Sequence, residues 1–169
     1  DLTYYFTIKK NVKFHNNPVF KSEEDRILSL EDVVSTFEYY CKDDGTYSTA
    51  YSFVFKGIVV GADDFHQGSS EGISGVWTDS DTLFVKTIKP NANFLHRFAG
   101  ENSSILSEKI LSSGGGEWSI GTGPFYIEEH SSSNIVLLAN KDYYKIDKDG
   151  ISLPYLNKVN FIINDDAIA

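Results

Sequence analysis

The sequence predicts a mixed α+β fold, and three features carry that expectation: a strand that runs through a loop into a capped helix, a central hairpin pattern, and a strand-rich final third. In the opening stretch Tyr4, Phe6 and Ile8 alternate with Tyr5, Thr7 and Lys9. That is the period-two pattern of a strand with one buried face. Ser29 then stands at an N-cap position with Asp32 three residues on. The spacing lets the hydroxyl accept from the N3 amide and sets a carboxylate against the positive end of a helix. Val33, Val34, Phe37 and Tyr40 follow at i, i+1, i+4 and i+7, one apolar stripe.

Lys42-Asp43-Asp44-Gly45 has the turn chemistry of a helix exit. Tyr47 to Phe55 mixes aromatics with Ser and Thr and has no clear period. Val54, Ile58, Ala62 and Phe65 are spaced for a second helix, against which Gly57 and Gly61 argue. Residues 73–78 and 82–88 read as the arms of a hairpin turned at Asp79-Ser80-Asp81, with Pro90 ending the ladder. A short helix is expected at Phe94–Phe98, stopped by Gly100, and another over Ile105–Leu111. After the Ser112–Gly116 break, Ile120–Ile127 turns through Gly121-Thr122-Gly123-Pro124 into a strand. The two glycines permit a sharp turn or close backbone approach, and Pro124 fixes the strand entry. A further strand is expected at Asn134–Asn140, as a buried strand.

The chain has 169 residues, 41% hydrophobic and 14% aromatic, with ten Tyr and twelve Phe, a content that excludes a disordered chain. Twenty-four acidic against fifteen basic residues leave a net charge of -9, which argues against nucleic acid as a partner. Cys41 stands alone, so no internal disulfide or cysteine metal site is expected; it reads as a small half-buried apolar residue. No apolar run reaches the length of a membrane span. Asp1 opens directly into a strand and Asp165–Ala169 closes without an element, so the chain is expected to be part of a longer protein, lacking its export signal.

No catalytic or metal constellation is visible. His15, His66, His96 and His130 lack metal-ligand spacing, and His15 and His66 are expected as solvated contacts at element ends. Asp63-Asp64 with His66 reads as a solvated face. Asp147-Lys148-Asp149-Gly150 lacks the ligands of a calcium loop and reads as a turn. Gly121–Pro124 lacks the Lys-Ser/Thr of a phosphate loop, Gly72–Gly75 fails the nucleophile-elbow spacing, and Glu128-Glu129 as strand neighbours face opposite sides. No enzyme, metal or cofactor is expected.

A family resemblance adds to this reading. Tyr4-x-Phe6-x-Ile8-Lys9-Lys10-x-Val12-Lys13-Phe14-His15-Asn16-Asn17, then Leu28-Ser29-x-Glu31-Asp32-Val33-Val34, resembles the peptide-binding receptors of ABC importers, the solute-binding proteins of family 5. The likeness continues through Gly75–Pro90, Phe94-Leu95, Ile105–Lys109, Ile120–Ile127, Asn134–Tyr144 and Leu153–Ile163, in the family's order. Asn16-Asn17 stands where members commonly carry Asp-Gly, and Glu108 where they usually carry Pro. The resemblance implies a partial periplasmic-binding-protein type II-like fold. Residues 1–119 would be the smaller lobe domain and residues 120–169 a partial return into the main N-terminal lobe. It implies capture of peptides outside the cytoplasmic membrane, in the periplasm or from a lipid anchor, and delivery to permease subunits. Membrane contact would come only through an N-terminal anchor absent from this sequence. It also implies that Tyr47, Tyr51 and Phe53 wall the peptide cleft, against the plain reading of core or surface aromatics, and that Gly121, Thr122, Gly123 and Pro124 form an adjustable crossing between lobes. Relatives that bind nickel, haem, opines or oligosaccharides leave the solute open. An extracellular hydrolase or adhesive module is the alternative from another class.

Overall fold

The computed structural model describes residues 2–43, 49–114 and 120–164. Two compact units make up the chain. One comprises Asp1–Lys9 with Ser29–Gly114, the other Lys10–Leu28 with Gly115–Ala169. The stretch 10–28, expected with the first domain, belongs instead to the second unit, because Val12 to His15 make their backbone bonds to Ile27, Leu28, Arg26 and Gly121. The bond from His15 to Gly121 joins the stretch to a segment far along the chain, and local pattern does not report it.

The first unit is a three-stranded antiparallel sheet backed by helices. Strand β1 (Thr3–Thr7) pairs with β3 (Thr82–Lys86), which pairs with β2 (Val76–Asp79). The expected hairpin is present, with Ser80 at φ 52° in its turn. Tyr4, Phe6, Leu83 and Val85 face the core, as the alternation requires. On the opposite face the register puts Tyr5, Phe84 and Trp77 in one row across the three strands, and Trp77 stacks on Phe84 with centroids 5.2 Å apart.

Helix α1 (Leu30–Cys41) forms as the sequence expects. Ser29 Oγ accepts from the Asp32 N–H at 3.2 Å, and Asp32 Oδ2 accepts from the Ser29 N–H at 2.8 Å, a reciprocal capping box. The buried face of α1 carries Val33, Phe37 and Cys41. Phe37 meets Phe55 and Phe98 edge-on, at 5.2 Å each. Cys41 is fully buried, and burial drives its thiol pKa upward, an inert apolar residue as expected.

Two helical expectations change. The helix expected from Val54 to His66 is two pieces, a π-helical turn at Tyr51–Phe55 and a short α2 (Ala62–His66). Gly57 at φ 63° and Gly61 at φ 76° separate them, since left-handed backbone cannot continue a helix. The helix expected over Ile105–Leu111 begins only at Glu108, giving α4 (Glu108–Ser112), after α3 (Phe94–Phe98). Side chains of α1 hold the preceding residues extended. The Thr36 hydroxyl accepts from the Leu106 N–H at 2.9 Å, and Asp32 Oδ1 accepts from the Glu108 N–H at 2.8 Å. Both amides are thereby committed to side chains of α1.

The second unit contains the sheet β4 (Phe125–His130), β5 (Asn134–Ala139) and β6 (Lys158–Ile162), in that order and antiparallel. On β5 only Val136 and Ala139 are buried, fewer than a buried strand requires. A bulge between Ile127 and Glu129 breaks the alternation of β4, and Glu128 and Glu129 are both exposed. Asp147 Oδ1 accepts from the Asp149 and Ile151 amides, so 147–150 is the expected turn. On β6, Phe161 and Ile162 are exposed, Ile162 to 83%, and among the described residues β6 pairs only with β5.

Replacing Ser29 by Ala removes both hydroxyl bonds to Asp32 and is expected to cost about 1 kcal/mol. Asp32→Ala unties both the cap and the Glu108 amide, and the expected loss is roughly 2–3 kcal/mol. Urea unfolding of the 169-residue chain measures both, and an Asp32→Ala loss no larger than that of Ser29→Ala would refute the double role.

Candidate functional site

The expected aromatic wall begins where the π-helical turn follows α1. Tyr47 lies outside the described residues. Tyr51 and Phe53 share the turn but meet different surroundings. Tyr51 is buried, its hydroxyl donates to Asp63 Oδ1 at 2.7 Å, and its ring stacks on His66 with centroids 3.8 Å apart. Burial, and then the Asp63 carboxylate beside it, push the Tyr51 phenol pKa upward, so the group is a neutral donor. His66 Nδ1 donates to the Cys41 carbonyl at the end of α1, at 2.8 Å. His66 and Asp63 are therefore structural partners, where the sequence suggested a solvated face. Phe53 is 48% exposed, with the Arg97 guanidinium 4.6 Å from its ring centroid and Arg97 Nη1 donating to its carbonyl. Arg97 Nε is buried without a hydrogen-bond partner among the described residues. Phe53 with Arg97 thus presents an accessible aromatic and cationic pair, while Tyr51 is buried against Asp63 and His66.

The Gly121–Pro124 segment lies in the second unit and is braced on several atoms. His15 is 5% exposed. Its backbone N–H donates to the Gly121 carbonyl at 2.8 Å, its Nδ1 accepts from the Gly121 N–H at 3.2 Å, and its Nε2 lies 3.0 Å from the Gly123 carbonyl. A ring that accepts at Nδ1 must carry its proton on Nε2, so both contacts are satisfied by one neutral tautomer. Asn140 Nδ2 donates to the same Gly123 carbonyl at 2.9 Å, and the Asn140 N–H donates to Pro124 O at 2.8 Å. Asn140 Oδ1 in turn accepts from the Asp142 N–H. The Gly121 amide and carbonyl and the Gly123 and Pro124 carbonyls are thus all hydrogen-bonded. Neither glycine adopts positive φ. A Cβ at Gly121 would meet nothing within 4 Å, and one at Gly123 would meet only Phe125 O at 3.8 Å. Close approach within the described residues therefore does not account for either glycine.

Beside this brace lies a cavity of about 370 Å³ with a mixed lining that includes His15, Arg26, Tyr126, Asn140 and Asp142. Arg26 is 5% exposed and fully engaged: Nε donates to Phe14 O, Nη1 to Glu23 and Nη2 to Asp142 Oδ2 at 2.7 Å. Burial alone would lower its pKa, but the Asp142 and Glu23 carboxylates outweigh that and hold it raised. Glu23 also takes Lys13 Nζ at 2.8 Å, and these two cations, Lys13 first, hold its carboxyl below the usual range. Such a network fixes geometry, and among the described residues no His/Cys/Asp/Glu group could hold a metal ion.

His15, Arg26, Asn140 and Asp142 were not singled out as interacting groups from the sequence. His15 and Asn140 stood inside the stretches that carried the resemblance, but nothing in a single sequence pairs His15 with a turn more than a hundred residues away.

The model for bacterial extracellular solute-binding proteins, family 5 Middle, matches residues 1–169. This chain belongs to that family. Among curated relatives, the dipeptide-binding protein of Escherichia coli is 29% identical over 182 residues, covering 98% of this chain and 30% of that protein. Di/tripeptide-binding protein 1 of Pseudomonas aeruginosa is 28% identical over 175 residues, again 98% and 30%. The chain thus spans about 30% of the length of these relatives. A periplasmic oligopeptide-binding protein from Borrelia burgdorferi superposes with TM-score 0.77 at 17% identity, over 99% of this chain and 32% of that one. Listeria monocytogenes OppA, solved bound to peptide, superposes at 0.75 with 20% identity, over 96% and 31%. These superpositions show that the family 5 chain has part of the periplasmic-binding-protein type II-like fold, mixed α+β as the sequence predicts.

His15→Ala removes the ring from the brace, and the Gly121 amide is expected to exchange with solvent at least about tenfold faster, with roughly 1–2 kcal/mol of lost stability. Hydrogen exchange reads this, and an unchanged Gly121 rate would show that the ring does not hold the turn. For pH, the sign follows from the lowered Glu23 carboxyl. The stability it adds is present above the ordinary glutamate pKa and is lost as pH falls through the depressed folded value. Glu23→Gln should therefore show a flatter acid limb of stability against pH than the parent chain.

Proposed function

We propose that this family 5 chain is part of a receptor that captures peptides outside the cytoplasmic membrane and delivers them to the permease subunits of an ABC importer. The observation that carries the reading is the match along all 169 residues to a solute-binding family whose curated relatives here are named for binding dipeptides and tripeptides. The receptor acts by binding and not by catalysis, and it works in the periplasm or from a lipid anchor at the cell surface.

In this reading residues 1–119 serve chiefly as the smaller lobe and residues 120–169 as part of the main lobe. The exposed Phe161 and Ile162 on β6 are what a sheet continued by further chain would present, which supports a larger parent. Tyr47, Tyr51 and Phe53 contribute to the aromatic wall of the cleft, of which the Phe53 ring is exposed. An aromatic face suits ligands of varied side chain, since it offers flat apolar area without demanding one partner. Gly121, Thr122, Gly123 and Pro124 form the crossing between the lobe pieces of that receptor.

The test is a thermal-shift screen of the full-length receptor against dipeptides, tripeptides, longer peptides, oligosaccharides, haem and nickel. Stabilisation by peptides alone is expected, amounting to about 3 kcal/mol when ligand is a hundredfold above Kd. Stabilisation by a non-peptide alone would replace peptide as the solute, and turnover of any ligand would favour a hydrolase.

A further inference from the structure

In the first unit Glu38 sits one turn before the end of α1, with its side chain half-buried. It lines a pocket of about 270 Å³ with Val34 from the preceding turn, Gly72, Ile73 and Ser74 from the loop, and Val76 at the start of β2. Among the described residues no donor or cation engages its carboxylate. Lys42, one turn further along, borders a separate hollow that Glu38 also reaches, and the two make no ion pair. Burial raises the Glu38 carboxyl above the usual glutamate range, as befits a charge without a counter-charge.

The loop wall is built closely. Gly75 donates to the Val60 carbonyl at 2.8 Å, and a Cβ on Gly75 would come within 2.5 Å of that same oxygen. A Cβ on Gly72 would stand 3.2 Å from Glu38 Oε1, so glycine there keeps the approach to the carboxylate open. Three apolar side chains around one uncompensated carboxylate select among ligands. An anion is repelled, and a neutral polar group leaves the charge unmatched. A metal ion finds too few oxygen ligands. An aliphatic stem ending in an ammonium satisfies both parts, with methylenes on the apolar walls and a charge-assisted hydrogen bond at the tip.

We propose that this pocket receives an alkylammonium group, the chemistry of a lysine side chain, with its stem against Val34, Ile73 and Val76 and its nitrogen on Glu38. The site stands on the pocket's own geometry and is independent of peptide capture by the whole receptor.

The test is a titration of the 169-residue chain, followed by amide NMR shifts in phosphate buffer at neutral pH, with n-butylammonium chloride, n-butanol and sodium chloride. Nα-acetyl-lysine N-methylamide forms a further arm. Saturable shifts at Val34, Glu38, Ile73 and Val76 are expected with n-butylammonium and not with n-butanol or sodium. Equal or tighter saturation by the lysine derivative would assign the ligand to lysine side chains of peptides or proteins. Saturation by the free amine alone would assign it to small amines. Glu38→Gln is expected to weaken binding at least about tenfold, and Gly72→Ala to weaken it while leaving the charge in place. Shifts that do not saturate, that are matched by n-butanol, or that survive unchanged in Glu38→Gln would overturn the proposal. The comparison of n-butylammonium with n-butanol decides it even where a variant fails to fold.

Discussion

The Asp32 carboxylate is buried at the start of α1, and its two oxygens face different obligations. Oδ2 takes the Ser29 amide and hydroxyl and closes the helix end, while Oδ1 takes the Glu108 amide some seventy residues later. A buried carboxylate is tolerated only when its lone pairs are met by good donors. Here the same bonds that satisfy the charge dock 106–108 on the helix, with Thr36 adding the Leu106 amide one turn on. The aromatic core of Phe37, Phe55 and Phe98 then closes against that helix. Helix capping and tertiary docking are one set of contacts.

The second unit repeats the logic with a different side chain. His15 and Asn140 converge on the Gly123 carbonyl, and Arg26 ties the 10–28 stretch to Asp142 beyond β5. Polar atoms of a loop that strand pairing cannot reach are met by side chains from two distant stretches. The turn is thereby stiff, which suits a segment that must present a strand in constant register.

Much of the architecture was legible because it rests on local rules. The Ser29-x-x-Asp32 box, the alternation in Tyr4–Ile8 and the 73–88 hairpin each state their structure within a few residues. Where the reading failed, a distant partner overrode a local pattern. Residues 105–107 have helical spacing, yet Asp32 and Thr36 hold them extended. His15 and His66 sit at element ends like solvated residues, yet each is committed to a backbone carbonyl. The candidate site was legible only as a stretch of aromatics. That Tyr51 would turn inward to Asp63 while Phe53 remained outside follows from the π-helical turn, whose phase no simple period announces.

Family membership, the capped helix α1 and the main strands were determined by residue types and spacing, which are properties of the chain itself. The allocation of 10–28 to the second unit, the pinning of Gly121–Pro124 and the isolation of the Glu38 carboxylate were decided in three dimensions. The physical reason is the same in each case. A hydrogen bond or an uncompensated charge depends on which atoms lie within about 3 Å, and that distance is set by packing between segments that the sequence holds far apart.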